Sequence, residues 1–261
     1  MFLKWLMEVF PRDMRRGWAL VRRDLVLWVA ISFLLSLAIV ALPPVGSEPT
    51  SQGLLPALIG LVASLVTFML PPFLFAVEAQ HREVSWGPVL RHLVVRIPAF
   101  LASVLLAFLC TEVVGMLAHD AVALALGTGE PAQVLAVLTQ QIILVSLLVR
   151  FSFFPFLVIL FHRADLPPQL WELQRAAPLG AALWPFTASS RLTEGIRWQL
   201  VPYTVLGLAM PLLAPLAGPK LILPVSIVAR IFLLTLQAVL FCYFLERLRA
   251  RDAPQPPIPH D

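Results

Sequence analysis

The sequence predicts an all-α polytopic membrane protein: a bundle of six transmembrane helices with interfacial helices and both termini in the cytoplasm. Three observations carry this. Apolar runs near the ~20 residues needed to cross a bilayer recur along the chain. Of the 261 residues, 59% are hydrophobic and 13% charged, about half the ~25% charged share of an ordinary soluble domain. The basic residues are also divided very unevenly among the connections between the runs.

The runs cover roughly 24–43, 54–77, 98–118, 134–162, 198–216 and 221–245. Pro43-Pro44, Gly53, Gly127, Gly129, Pro167-Pro168 and Gly218-Pro219 punctuate them. The first run is long and lacks a small-x-small cleavage site, so it reads as an uncleaved anchor. Residues 1–23 form a basic amphipathic segment before it, broken at Pro11, with Trp5 and Trp18 suited to the headgroup region. Residues 24–246 then form the membrane domain, and 247–261 a cytoplasmic tail.

Orientation follows from lysine and arginine. The N-terminal flank, the second and fourth connections and the tail hold sixteen of the nineteen. The opposite side has Lys220, and Arg150 and Arg230 fall within runs. Such a bias puts the basic side, and with it both termini, in the cytoplasm. Anionic lipid at this basic face is the expected partner, with no role for nucleic acid. The opposite connections are short, with Glu48, Asp120 and Glu130. "GTGEP" at 127–131 is similar to the GxGD of intramembrane aspartyl proteases, yet has Glu130 in place of the Asp. A turn is the expected reading, because glycine supplies the positive φ that turns need.

Ionisable groups inside the runs need partners, since a charge at mid-bilayer costs ~2.5–3.5 kcal/mol even on the lenient insertion scale. At ~1.5 Å per residue, Glu112 lies about 9 Å inward of Ala118 and Arg230 about 15 Å inward of Lys220. Their long side chains can close that gap, which predicts a structural Glu112–Arg230 ion pair. Arg150 comes about 24 Å after Val134, toward the cytoplasmic end of the fourth run. Glu78 is the nearest acid by depth. Pro155 removes a backbone donor five residues after Arg150 and kinks the helix there. Arg150, Glu78 and Pro155 are therefore expected to form a polar cluster, with the guanidinium held by Glu78 and by the backbone freed around Pro155. It is a site for an anionic headgroup, a gating ion pair, or a plain structural pair that fixes how the second and fourth helices pack.

The cytoplasmic connection 163–197 is the most elaborate soluble piece. An interfacial helix is expected after Pro167-Pro168, and a second from Thr187 or Ser189, with the hydroxyl as cap. Arg191, Glu194 and Arg197 would then pair along one face. With Trp171 and Arg175 they make a candidate docking surface for a partner. The Ala pair and Gly180 of "RAAPLGAALWP" at 175–185 resemble the ATPase-docking loop of ABC importer permeases, but without its acid. A permease subunit is thus the alternative function.

Enzyme signatures are missing: there is no GxSxG elbow, HExxH helix or P-loop. Cys110 and Cys242 lie in apolar runs without metal-ligand spacing and read as small core residues. No metal or cofactor is expected, and a membrane-embedded enzyme is the third reading. Four stretches carry a family resemblance: "RRGWALVRRDLVLW" at 15–28, "RFSFFPFLVI" at 150–159, "ASSRLTEGIRWQLV" at 188–201 and "FCYFLERLRAR" at 241–251. In these the chain resembles bacterial six-helix inner-membrane proteins of the YciC type. It also resembles the membrane domain that precedes some glycerophosphodiester phosphodiesterases. The resemblance implies that Arg150, Pro155, Ser189 and Trp198 occupy recurring positions, and it brings no catalytic residues. The expected function is non-enzymatic, at the bacterial inner membrane: handling lipid or a hydrophobic solute, or supporting the envelope.

Overall fold

The computed structural model describes residues 5–40, 67–76, 86–127, 129–160, 180–210 and 221–252. These residues are helical apart from turns, with no strand among them. After a π-helical turn, Trp5–Val9, come α1 (Phe10–Val21), α2 (Leu25–Val40) and α3 (Thr67–Ala76). Then follow α4 (Trp86–Leu126), α5 (Glu130–Arg150), α6 (Phe154–Leu160), α7 (Gly180–Leu192), α8 (Arg197–Ala209) and α9 (Ile222–Asp252).

Three stretches are long and apolar enough to cross a membrane: Leu90–Ala125, Glu130–Leu160 and Ile222–Ala250. They answer to the third, fourth and sixth predicted runs. Exposed apolar side chains line them, among them Val95, Leu105, Leu117, Leu138, Ile142 and Val228, as a helix facing hydrocarbon requires. Of the other three runs, 16 residues of α2, the ten of α3 and 13 of α8 are described. At 41 residues α4 measures ~61 Å, about twice the ~30 Å of a hydrocarbon core. The turn expected at 127–131 begins with Gly127 at φ +82°. Cys110 is exposed, not a core residue as expected, and Cys242 is partly buried; the two do not form a disulfide.

The chain forms two compact units. One comprises Met1–Leu93 with Leu206–Tyr243, the other Val94–Val205 with Phe244–Asp261.

In the first unit, Pro11 does not break the N-terminal segment as expected. It sits in the first turn of α1, where a missing N–H costs nothing. The buried residues of α1 are Asp13, Gly17 and Val21, four apart on one face. Asp13 and Gly17 meet Tyr243, Thr235 and Val239, spaced likewise on α9. The Tyr243 hydroxyl donates to Asp13 Oδ2 at 2.6 Å, and Arg12 Nε to Asp13 Oδ1 at 3.3 Å. A Cβ on Gly17 would stand 2.6 Å from the Thr235 carbonyl oxygen and 2.7 Å from Cγ2 of Val239. Interdigitated ridges of this spacing bring helices close, and glycine lets the backbones touch. Trp28 packs on Phe75, and Phe75 on Phe241, with centroids 6.2 and 5.9 Å apart.

Tyr243→Phe removes a hydrogen bond to a buried carboxylate, and bonds to charged groups are worth about 1.5–3 kcal/mol. A loss of that size is expected in denaturant titration of the detergent-solubilised protein. A change below the measurement error would show that the bond does not hold α1.

In the second unit the core is aromatic. Phe244 packs on Phe153 and Phe156, and Phe186 on Phe151 and Phe154, with centroids 5.0–5.6 Å apart. Leu157, Ile159, Leu192 and Leu200 are fully buried with them.

Candidate functional site

The site grows from the break between α5 and α6. Proline cannot donate, so the helix ladder fails around Pro155. Phe154 N turns to the Phe151 carbonyl at 3.0 Å, which leaves the Arg150 carbonyl without its usual partner. Ser189 of α7 repairs both sides of the gap. Its Oγ donates to the Arg150 oxygen at 2.8 Å and accepts from Phe153 N at 3.1 Å. Thr193 Oγ1 adds a longer bond of 3.5 Å to the same carbonyl. Ser189 and Thr193 are fully buried, so water does not compete for these groups.

Two expectations are corrected here. The Arg150 guanidinium does not take up the freed backbone; its side chain is exposed, and two hydroxyls do that work. Ser189 is not a helix cap but lies inside α7, which starts at Gly180.

The docking face is corrected as well. Helix α7 ends at Leu192, and Gly195 at φ +82° turns the chain before α8. Arg191, Glu194 and Arg197 therefore do not share one helical face. Instead Arg197 Nη2 donates to the Ser190 carbonyl at 3.2 Å. Arg247 of α9 clasps the turn, with Nε 3.0 Å from the Leu192 carbonyl and Nη2 on that of Glu194. A cation on the last carbonyls of a helix suits the negative end of its dipole. Trp171, Arg175 and Glu78 lie outside the described residues.

Beside the break, α5 and the start of α8 enclose a groove of about 590 Å³. Leu138, Gln141, Ile142, Val145, Ser146, Val149 and Arg150 line it from α5. Their spacing of three and four is a single helix face. Arg197, Trp198 and Val201 close it from α8. Arg150 and Arg197 thus share one groove, and none of its described lining residues is acidic. Arg197 Nε is buried without a hydrogen-bond partner among the described residues. Trp198 is 88% exposed at the start of α8, a position suited to a headgroup-level anchor.

The structure thus brings Arg150 together with Arg197, a pairing that sequence reasoning missed. The available signal was the three-and-four spacing of apolar and small polar residues leading to Arg150. In the first unit, Arg230 Nη1 reaches Thr67 Oγ1 at 3.5 Å. Glu112 belongs to the other unit, so its pairing with Arg230 stays an expectation of the sequence. No group of three metal-ligating side chains occurs among the described residues.

Comparison with family models, curated proteins and solved structures finds no match for the chain.

Proposed function

We propose that this is a six-span protein of a bacterial inner membrane, both termini cytoplasmic, that binds an amphipathic molecule from the bilayer without chemically changing it. One observation carries the reading: an apolar groove on a helix long and apolar enough to cross a membrane is lined by two arginines and by no described acidic residue. Its volume falls within the ~300–1,000 Å³ of small-ligand sites. An apolar wall recognises a hydrocarbon tail, and paired cations recognise an anionic head. The uneven distribution of lysine and arginine supports the orientation, with anionic lipid as the partner of the basic face.

Extraction into native-lipid nanodiscs, with mass spectrometry of everything that copurifies, tests this. An amphiphile retained at a fixed ratio to the protein is the expected result. Lipid identical to the bulk membrane, together with an ATPase at fixed ratio, would replace this reading with that of a permease subunit.

A further inference from the structure

The two arginines also constrain which amphiphile the groove accepts. From Leu138 to Arg150 its wall runs twelve residues along α5, ~18 Å of helix. One leaflet of a ~30 Å hydrocarbon core is ~15 Å thick. The groove therefore has the length of one acyl chain, and a cation stands at the α5 end that the charge distribution places on the cytoplasmic side.

At that end the chemistry is one-sided. Arg150 and Arg197 both line the groove, no carboxylate joins them among the described lining residues, and a buried Arg197 Nε lacks a partner. A phosphate accepts from guanidinium forks in bidentate fashion. An ammonium on the same headgroup would be held near two like charges with no described acid to receive it, which is unfavourable.

We propose that the groove holds one phospholipid of the cytoplasmic leaflet, its phosphate on Arg150 and Arg197, and selects net-anionic headgroups over zwitterionic ones. This rests on the groove being the binding site proposed above. The selectivity for headgroup charge is the added claim.

The test is native mass spectrometry of the full chain reconstituted in nanodiscs of equal phosphatidylglycerol and phosphatidylethanolamine. At ~1 kcal/mol per cation, two guanidinium groups imply a preference for phosphatidylglycerol on the order of thirtyfold, and one about fivefold. The wild type is expected to retain one phosphatidylglycerol, and Arg150→Gln/Arg197→Gln to show no preference. Because Arg197 also bonds to Ser190, Arg150→Gln alone serves as a second variant. Its exposed side chain makes no hydrogen bond among the described residues, and a partial loss of preference is expected. Val145→Trp fills the groove and is expected to abolish retention of either lipid.

A retained lipid without headgroup preference, removed by Val145→Trp, would overturn the charge selection and leave the groove as a binding site. Retention unchanged in Val145→Trp would overturn both. Selectivity unchanged in Arg150→Gln and in the double variant would assign the headgroup preference to annular lipid elsewhere and overturn the inference.

Discussion

Gly17→Ala is expected to lift α1 away from α9 and destabilise the protein, against the intrinsic preference of a helix. Alanine is the better helix former by about 0.8–1.0 kcal/mol, so on a free helix the change would stabilise. Here the new methyl group would stand 2.6 Å from a backbone oxygen and 2.7 Å from Val239. The oxygen belongs to the body of α9 and cannot swing aside. Overpacking of this kind costs about 1–3 kcal/mol and occasionally more, so the steric term outweighs the propensity. Displacement of α1 would also break the Asp13–Tyr243 bond, which spans 2.6 Å and tolerates little movement.

The check is a double-mutant cycle of Gly17→Ala and Tyr243→Phe by denaturant titration. Strong non-additivity is expected, because a displaced α1 leaves Tyr243 nothing more to lose. Additive effects, or a stabilising Gly17→Ala, would mean that α1 does not pack here.

Ser189→Ala combined with Thr193→Ala is expected to cost still more. Together they orphan the Arg150 carbonyl and the Phe153 N–H, both facing fully buried side chains. Each unsatisfied buried group costs about 1–3 kcal/mol, so on the order of 2–6 kcal/mol is at stake for the pair. Function should suffer with stability. Ser189 ties α7 to the end of α5, and α7 leads directly into α8, so Arg150 and Arg197 should separate. Denaturant titration and lipid retention measured on the same sample check this. A protein of normal stability would show that the broken ladder finds other partners, and normal retention would show that the groove does not depend on the tie.

The break itself was legible in the sequence, because a proline has no N–H whatever its surroundings. The partner of the freed carbonyl was not legible, since Ser189 lies 39 residues away and many hydroxyls are equally distant along the chain. Depth along a helix likewise follows from rise per residue, but which way a side chain points around the axis does not. The Arg230 guanidinium, for instance, reaches Thr67, a neighbour to which no depth arithmetic points. Gly195 shows the same limit. A spacing of three between Arg191, Glu194 and Arg197 means one face only while the helix continues, and the positive φ of one glycine ends that face.

What the sequence determined by itself is the apolarity and the secondary structure: long apolar runs make helices, and three of those described are long and apolar enough to cross a membrane. Apolarity, helix rise and the missing donor of proline are properties of the chain alone. The tertiary structure decided the partners: Asp13 with Tyr243, Ser189 with the broken helix, and Arg150 with Arg197 across one groove. These depend on rotation about helix axes and on close approach. Only the packing of whole helices settles both, because each contact must be satisfied at once with all the others.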